Sequence, residues 1–128
     1  VNLLAGRALH RTLPPFLASE LEGLVAQHLR AWTAYAGGAY DLAFWRTRSG
    51  VEVDFVVYGA GGFWAIDVQA SRQIRHRDLG ALRSFRSEFP EATAILLYGG
   101  EERRFVDGIW CVPVEAFLRT LHPSRGVT

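Results

Sequence analysis

The residue pattern predicts one α/β domain, a mixed β-sheet with helices packed against it. Three observations carry that prediction. Three strand-like runs succeed one another across very short loops, so they must pair antiparallel. The last of them leads through an amphipathic helical stretch into an almost wholly apolar run, which is the pattern of a parallel crossover onto a strand covered on both faces. The chain has 128 residues, 49% apolar and 21% charged, enough for one core and too few for two.

In chain order, Val1 to Leu13 is apolar and basic without clear periodicity, and Pro14 and Pro15 punctuate it. Residues 1–15 are read as the end of an upstream region. From Phe16 the spacing predicts a helix whose apolar stripe is Leu21, Leu24, Val25, His28, Leu29 and Trp32, ended by Gly37 and Gly38. His28, on that stripe, is expected to be hydrogen-bonded and partly buried. Strands are predicted over Tyr40–Thr47, Val51–Tyr58 and Phe63–Ala70, separated by the turn Arg48-Ser-Gly50 and the loop Gly59-Ala-Gly-Gly62.

A second helix is predicted from Arg77 to Phe89, with Leu79, Leu82, Phe85 and Phe89 on its apolar face and Pro90 at its end. Ala94–Tyr98 is the buried strand, expected parallel to Phe63–Ala70. Asp107-Gly108 marks a tight hairpin turn between 104–106 and 109–112. A short helix over 114–121 closes a domain spanning 16–121, and 122–128 is expected to be a loose tail. Trp32, Trp45, Trp64 and Trp110 all fall in helix or strand patterns, which predicts core packing rather than base stacking.

Composition narrows the function classes. A net charge of +1 exerts no global pull toward nucleic acid or anionic membranes, so any such surface must be a local patch. All 14 basic residues are Arg, which excludes chemistry run by a lysine of this chain. The absence of Met is expected of an excised domain or a processed fragment. Cys111 is the single cysteine, so an internal disulfide is impossible, in keeping with a reducing compartment. No apolar run approaches the roughly 18–20 residues needed to cross a bilayer, and no signal peptide opens the sequence. A cytoplasmic location and no membrane partner are the expectations. No Gly-X4-Gly-Lys phosphate loop is present.

Two residues stand where strand chemistry disfavours them. Asp is depleted in strands because its short side chain competes for backbone hydrogen bonds, yet Asp54 lies inside Val-Glu-Val-Asp-Phe-Val-Val and Asp67 inside Trp-Ala-Ile-Asp-Val-Gln-Ala. Strict alternation would put Glu52 and Asp54 on one face and Val53, Phe55 and Val57 on the other. Asp67 and Gln69 would share a face of the next strand. Neighbouring strands would then bring Asp54 and Asp67 to one point. Paired carboxylates repel, and a divalent cation with oxygen ligands, Mg²⁺ or Mn²⁺, removes the conflict. The bland alternative is a pair of edge aspartates facing solvent.

These residues resemble the core of the PD-(D/E)XK nuclease superfamily, in which one acidic residue on the second strand is followed by acidic–X–Lys on the third. The matches are Asp54 and Asp67-Val68-Gln69. More narrowly, the stretch Trp45 to Tyr58, the later Leu-Leu-Tyr-Gly-Gly at 96–100 and Val-Pro-Val-Glu-Ala-Phe-Leu at 112–118 are similar to a largely uncharacterised domain at the C-terminal end of many prokaryotic AAA-type ATPases. The resemblance covers about residues 16 to 121. It implies a restriction-endonuclease-like core acting on DNA by phosphodiester hydrolysis. Asp54 and Asp67 would be metal ligands and catalytic residues, Glu22 an auxiliary ligand, and Gln69 the water-positioning group.

The family pattern carries Glu where Asp67 stands, a mild change, and Lys where Gln69 stands, which removes a positive charge. By position, Arg46 and Arg72 are the candidates to replace that charge. Arg72, Arg75 and Arg77, with Arg46, are candidate DNA contacts. The resemblance also implies an upstream ATPase domain as partner. A non-catalytic DNA- or protein-binding module regulating that ATPase is the alternative.

Overall fold

The computed structural model describes residues 9–10, 20–122 and 126–127. Most of the 1–15 segment, the predicted helix start at 16–19 and tail residues 123–125 and 128 lie outside the described residues. The elements are β1 (Leu9–His10), α1 (Glu20–Tyr35), β2 (Tyr40–Arg46), β3 (Glu52–Gly59), β4 (Gly62–Gln69), a 3-10 turn (His76–Leu79), α2 (Gly80–Glu88), β5 (Thr93–Tyr98), β6 (Arg104–Val106), β7 (Ile109–Pro113) and α3 (Val114–Thr120). Among the described residues they form a seven-stranded mixed sheet of order β1-β2-β3-β4-β5-β7-β6, with three α-helices.

The topology is the predicted one at its centre. β2, β3 and β4 form an antiparallel meander. β5 then pairs parallel to β4, from Trp64 opposite Thr93 to Gln69 opposite Tyr98, because the helical crossover returns the chain to the same end of the sheet. β7 joins β5 in parallel and carries β6 as an antiparallel edge. The β6–β7 turn has positive φ at both central residues, 52° at Asp107 and 77° at Gly108, the mirror-image geometry that suits the twist of a hairpin.

Two apolar layers sandwich the sheet. Leu79, Leu82, Phe85 and Phe89 pack with Trp45, Ala65, Ala94, Leu96 and Ile109 on one side. Val25, Leu29, Trp32 and Phe117 pack with Phe55, Val57, Trp64, Ile66, Ile95 and Leu97 on the other. Successive β5 residues thus enter opposite layers, which is why that strand reads as continuously apolar. Phe85 is fully buried and meets Trp45 edge-on at 5.3 Å, Phe63 at 5.7 Å and Phe89 at 4.8 Å. Burying one such side chain stabilises by about 1.5–3 kcal/mol.

Several expectations need correction. The buried face of α1 is Val25, Ala26, Leu29 and Trp32, while Leu24 is 43% exposed. The helix is turned so that its stripe includes the small Ala26 in place of Leu24. His28, by contrast, is half-buried and hydrogen-bonded as expected, its Nδ1 2.9 Å from the Leu24 carbonyl oxygen. Trp32, Trp45 and Trp64 are buried, whereas Trp110 is half-buried under Phe105 and the Arg103 guanidinium.

The second helix begins as a 3-10 turn and becomes α-helical only at Gly80. The stretch expected to be loose is anchored at two described points. The Trp32 indole Nε1 donates to the His122 carbonyl at 2.8 Å, and Val127 is buried.

Candidate functional site

β3 and β4 pair regularly from Gly59 opposite Gly62 to Phe55 opposite Ile66. One step further, in the same register, Asp54 stands opposite Asp67, and there side chains take over from the ladder. The Asp54 amide donates to Asp67 Oδ1 at 2.9 Å. The Val68 amide donates to Asp54 Oδ2 at 2.9 Å. Backbone donors left without a strand partner need an acceptor, and a short carboxylate on the adjacent strand supplies one. The two aspartates therefore interlock across the point where the strands part. Each uses one oxygen in this way; Asp54 Oδ1 and Asp67 Oδ2 take no hydrogen bond among the described residues.

The route to this arrangement is not strict alternation. Ala43 pairs with Val56, but Trp45 pairs with Val53, so β3 carries one residue more than β2 across this interval. This β-bulge puts Val53 in the same apolar layer as Val56 and leaves Phe55 and Val57 in the opposite one. The expected common face for Val53, Phe55 and Val57 is thus corrected. A bulge locally re-aims side chains, and here it lies at Asp54.

The interlocked pair opens onto a cleft of about 250 Å³ lined by Glu22, Glu52, Asp54, Asp67, Val68, Gln69, Asp78 and Leu96. Glu22 arrives from the first turn of α1, Glu52 from the start of β3, and Asp78 from the 3-10 turn before α2. Asp67 is only 9% exposed. Burial pushes the Asp54 carboxyl up to about 7, in spite of the Val68 amide, which favours the charged form, and with Glu22 and Glu52 adding repulsion. Burial also holds Asp67 well above the usual carboxylate range, and the Asp54 charge raises it further. Both shifts describe a site short of positive charge.

Gln69 meets the cleft tied to a partner: its Nε2 donates to Asp78 Oδ1 at 2.8 Å. Asp78 is itself fixed, since its Oδ2 accepts the Arg75 amide at 2.8 Å. Of the residues singled out from sequence, Glu22, Asp54, Asp67 and Gln69 come together here. The arginines stand around the cleft rather than in its lining. Arg46 Nε lies 2.7 Å from Glu52 Oε1, so its charge is shared with a cleft carboxylate. Arg72 pairs with Glu101 at 3.3 Å. Arg75 and Arg77 are exposed on the segment flanking Asp78.

Asp78 and Glu52 escaped sequence reasoning as site residues. Glu52 carried a weak signal in its two-residue spacing from Asp54. Asp78 looked like an ordinary acidic residue near a helix start.

Among the described residues no three His, Cys, Asp or Glu side chains stand as a preformed metal-ligand set. No helix among them is long and apolar enough to cross a membrane.

A family model described as a domain of unknown function, DUF4143, matches residues 19–117. No curated protein and no solved structure matches the chain.

Proposed function

The chain belongs to the DUF4143 family, and from that premise we propose that it is a PD-(D/E)XK nuclease-like domain, dependent on a divalent cation, that acts on DNA by phosphodiester hydrolysis. The observation that carries this reading is the interlocked Asp54–Asp67 pair, with one oxygen left on each carboxylate beside an open acidic cleft. The donor set fits a hard cation such as Mg²⁺ or Mn²⁺: Asp54, Asp67 and Glu22 offer oxygen only, and two carboxylates whose affinity for protons is raised by burial, with acidic neighbours adding to it, have the same need for a metal ion. Asp54 and Asp67 would hold the ion, with Glu22 auxiliary to them. Bound there, it would supply Lewis acidity toward a phosphoryl oxygen and toward water.

The chain's own residues would do the rest. Arg75 and Arg77, exposed beside the cleft, would contact phosphates and hold the backbone in register. Gln69 would contribute no charge where the family pattern has Lys, so hydrolysis would be weak. Loss of one electrostatic group of this kind costs about 2.7–4 kcal/mol, or roughly 100- to 1,000-fold in rate. The natural partners would be DNA and an upstream AAA-type ATPase domain in a cytoplasmic protein.

The test is a cleavage assay with Mn²⁺ on single-stranded, linear and circular double-stranded DNA, using the domain and the full-length protein. Cleavage that disappears in Asp54→Asn supports the reading. One observation favours a second reading, a non-catalytic DNA- or protein-binding module that regulates the ATPase: among the described residues the cleft lining contains no cationic side chain, and the amide nitrogen of Gln69 is committed to Asp78. Intact binding of DNA or of the ATPase domain, with no cleavage of any substrate, would decide for it.

A further inference from the structure

We infer that Asp78 is a positioning residue that fixes which end of the Gln69 amide faces the acidic cleft, so that Gln69 offers a cation its carbonyl oxygen; this rests on the cation site proposed above. A carboxamide has two ends of nearly equal shape, one a donor and one an acceptor, and only its hydrogen bonds decide which way it faces. Asp78 Oδ1 lies 2.8 Å from Gln69 Nε2. A carboxylate can only accept, so the NH₂ end must be the one facing Asp78.

Asp78 cannot readily turn away. Its Oδ2 accepts the Arg75 amide at 2.8 Å, and its own amide donates to the Arg75 carbonyl at 2.9 Å. The other end of the amide, Oε1, takes no hydrogen bond among the described residues. Gln69 lines the same cleft as Asp54 and Asp67.

The consequence is a change of chemical role. A lysine at this position would present a cation. Gln69, held by Asp78, presents a neutral hard oxygen, a ligand type that divalent cations take readily. It adds coordination without adding a further negative charge to a pair already in conflict. The site is thereby biased toward holding a cation and away from activating water. Asp78 acts through Gln69, and its own charge is secondary.

The experiment uses the 128-residue chain, with Mn²⁺ affinity read from the free-ion EPR signal and the Gln69 side chain followed by NMR. Gln69→Leu should weaken Mn²⁺ binding by about tenfold or more, and Asp78→Ala by roughly tenfold, the usual effect of removing a residue that orients a ligand. The double variant should be no weaker than Gln69→Leu alone. Asp78→Asn leaves one acceptor oxygen for two donors, Gln69 Nε2 and the Arg75 amide, and should therefore weaken Mn²⁺ binding much as Asp78→Ala does. In the unsubstituted chain, diamagnetic Mg²⁺ should shift the Gln69 side-chain carbonyl carbon. Without metal, Asp78→Ala should speed exchange of the Gln69 Nε2 protons.

Wild-type affinity in Gln69→Leu, with binding lost in Asp54→Asn, overturns the role of Gln69 and leaves the cation site standing. A Gln69 carbonyl carbon unmoved by Mg²⁺ while the Asp54 and Asp67 carboxyl carbons shift does the same without any variant. Unchanged proton exchange in Asp78→Ala overturns the positioning role on its own. No metal binding by the unsubstituted chain overturns the cation site itself, and this inference with it.

Discussion

The Val68 amide donates to Asp54 Oδ2 across 2.9 Å, from β4 to β3, just beyond the last regular pair of that ladder. The bond secures one strand to the other where they part, yet it does so with a carboxylate whose charged form is disfavoured by burial. The same group that closes the ladder therefore makes the domain sensitive to proton concentration.

Stability without metal should fall as pH rises. Asp54 binds its proton up to about pH 7 in the folded chain, whereas an unfolded aspartate releases it near pH 3.9. Between those values the folded state holds more protons than the unfolded state, so deprotonation favours unfolding. Asp67 shifts in the same direction. Urea unfolding in EDTA should give decreasing stability from about pH 4.5 to 7.5, and Mg²⁺ should reduce the decrease. A pair contributing stability that increases over this range would contradict the buried, like-charged site.

Asp54→Asn isolates that contribution. Its side-chain oxygen can still accept from Val68, and the charge is gone. The variant should be more stable than the parent at pH 8 without metal, by about 1.4 kcal/mol for each pKa unit of strain relieved. The advantage should shrink toward pH 4.5, where the parent is protonated. It should also lose Mn²⁺ binding. An advantage equal at both pH values would point to packing rather than charge.

Gln69→Lys should raise Mg²⁺-dependent DNA cleavage, by up to roughly 100-fold at saturating metal. Asp78, already 2.8 Å from Gln69 Nε2, offers the ammonium a partner. Two unit charges about 4 Å apart interact by about 4 kcal/mol at an effective dielectric near 20. The same charge repels the metal, so Mg²⁺ affinity should fall as the saturated rate rises. Initial rates over a Mg²⁺ titration separate the two effects, and Asp54→Asn in the same background should abolish both. A saturated rate that stays flat sinks the idea of an enzyme limited by its missing charge.

The aromatic layer should dominate mutational stability. Phe85→Ala removes a fully buried ring that contacts Trp45, Phe63 and Phe89, and should destabilise by about 3–5 kcal/mol. Phe105 is 58% exposed and rests on Trp110, and Phe105→Ala should cost only about 0.5–1.5 kcal/mol. Urea midpoints at constant m-value test both. Similar losses at the two positions would show that the buried layer is misplaced.

Much of the fold is legible in the sequence because its signals are local. Short loops force antiparallel neighbours, and the apolar run at 94–98 announces a strand covered on both sides. Asp54 and Asp67 stood out because aspartate is costly inside a strand. Their pairing followed from the length of the loop at 59–62, which leaves little choice of register. Asp54, Asp67 and Gln69 could thus be placed together from strand alternation, whereas Glu22 joined them only through the resemblance to the nuclease family.

Other features depend on how separate elements dock, and no local pattern encodes them. The extra residue of β3 shows only against β2, where Trp45 meets Val53 and Ala43 meets Val56. The exposure of Leu24 reflects the rotation of α1 on the sheet, which Ala26 permits by being small. Asp78 reaches Gln69 because the crossover returns past the end of β4, and Arg46 meets Glu52 because those residues pair across two strands. Residue order decided which carboxylates could form a site. The tertiary structure decided that Gln69 is held by an acid rather than left free, because a hydrogen bond between side chains on different elements exists only once packing has set the distance between them.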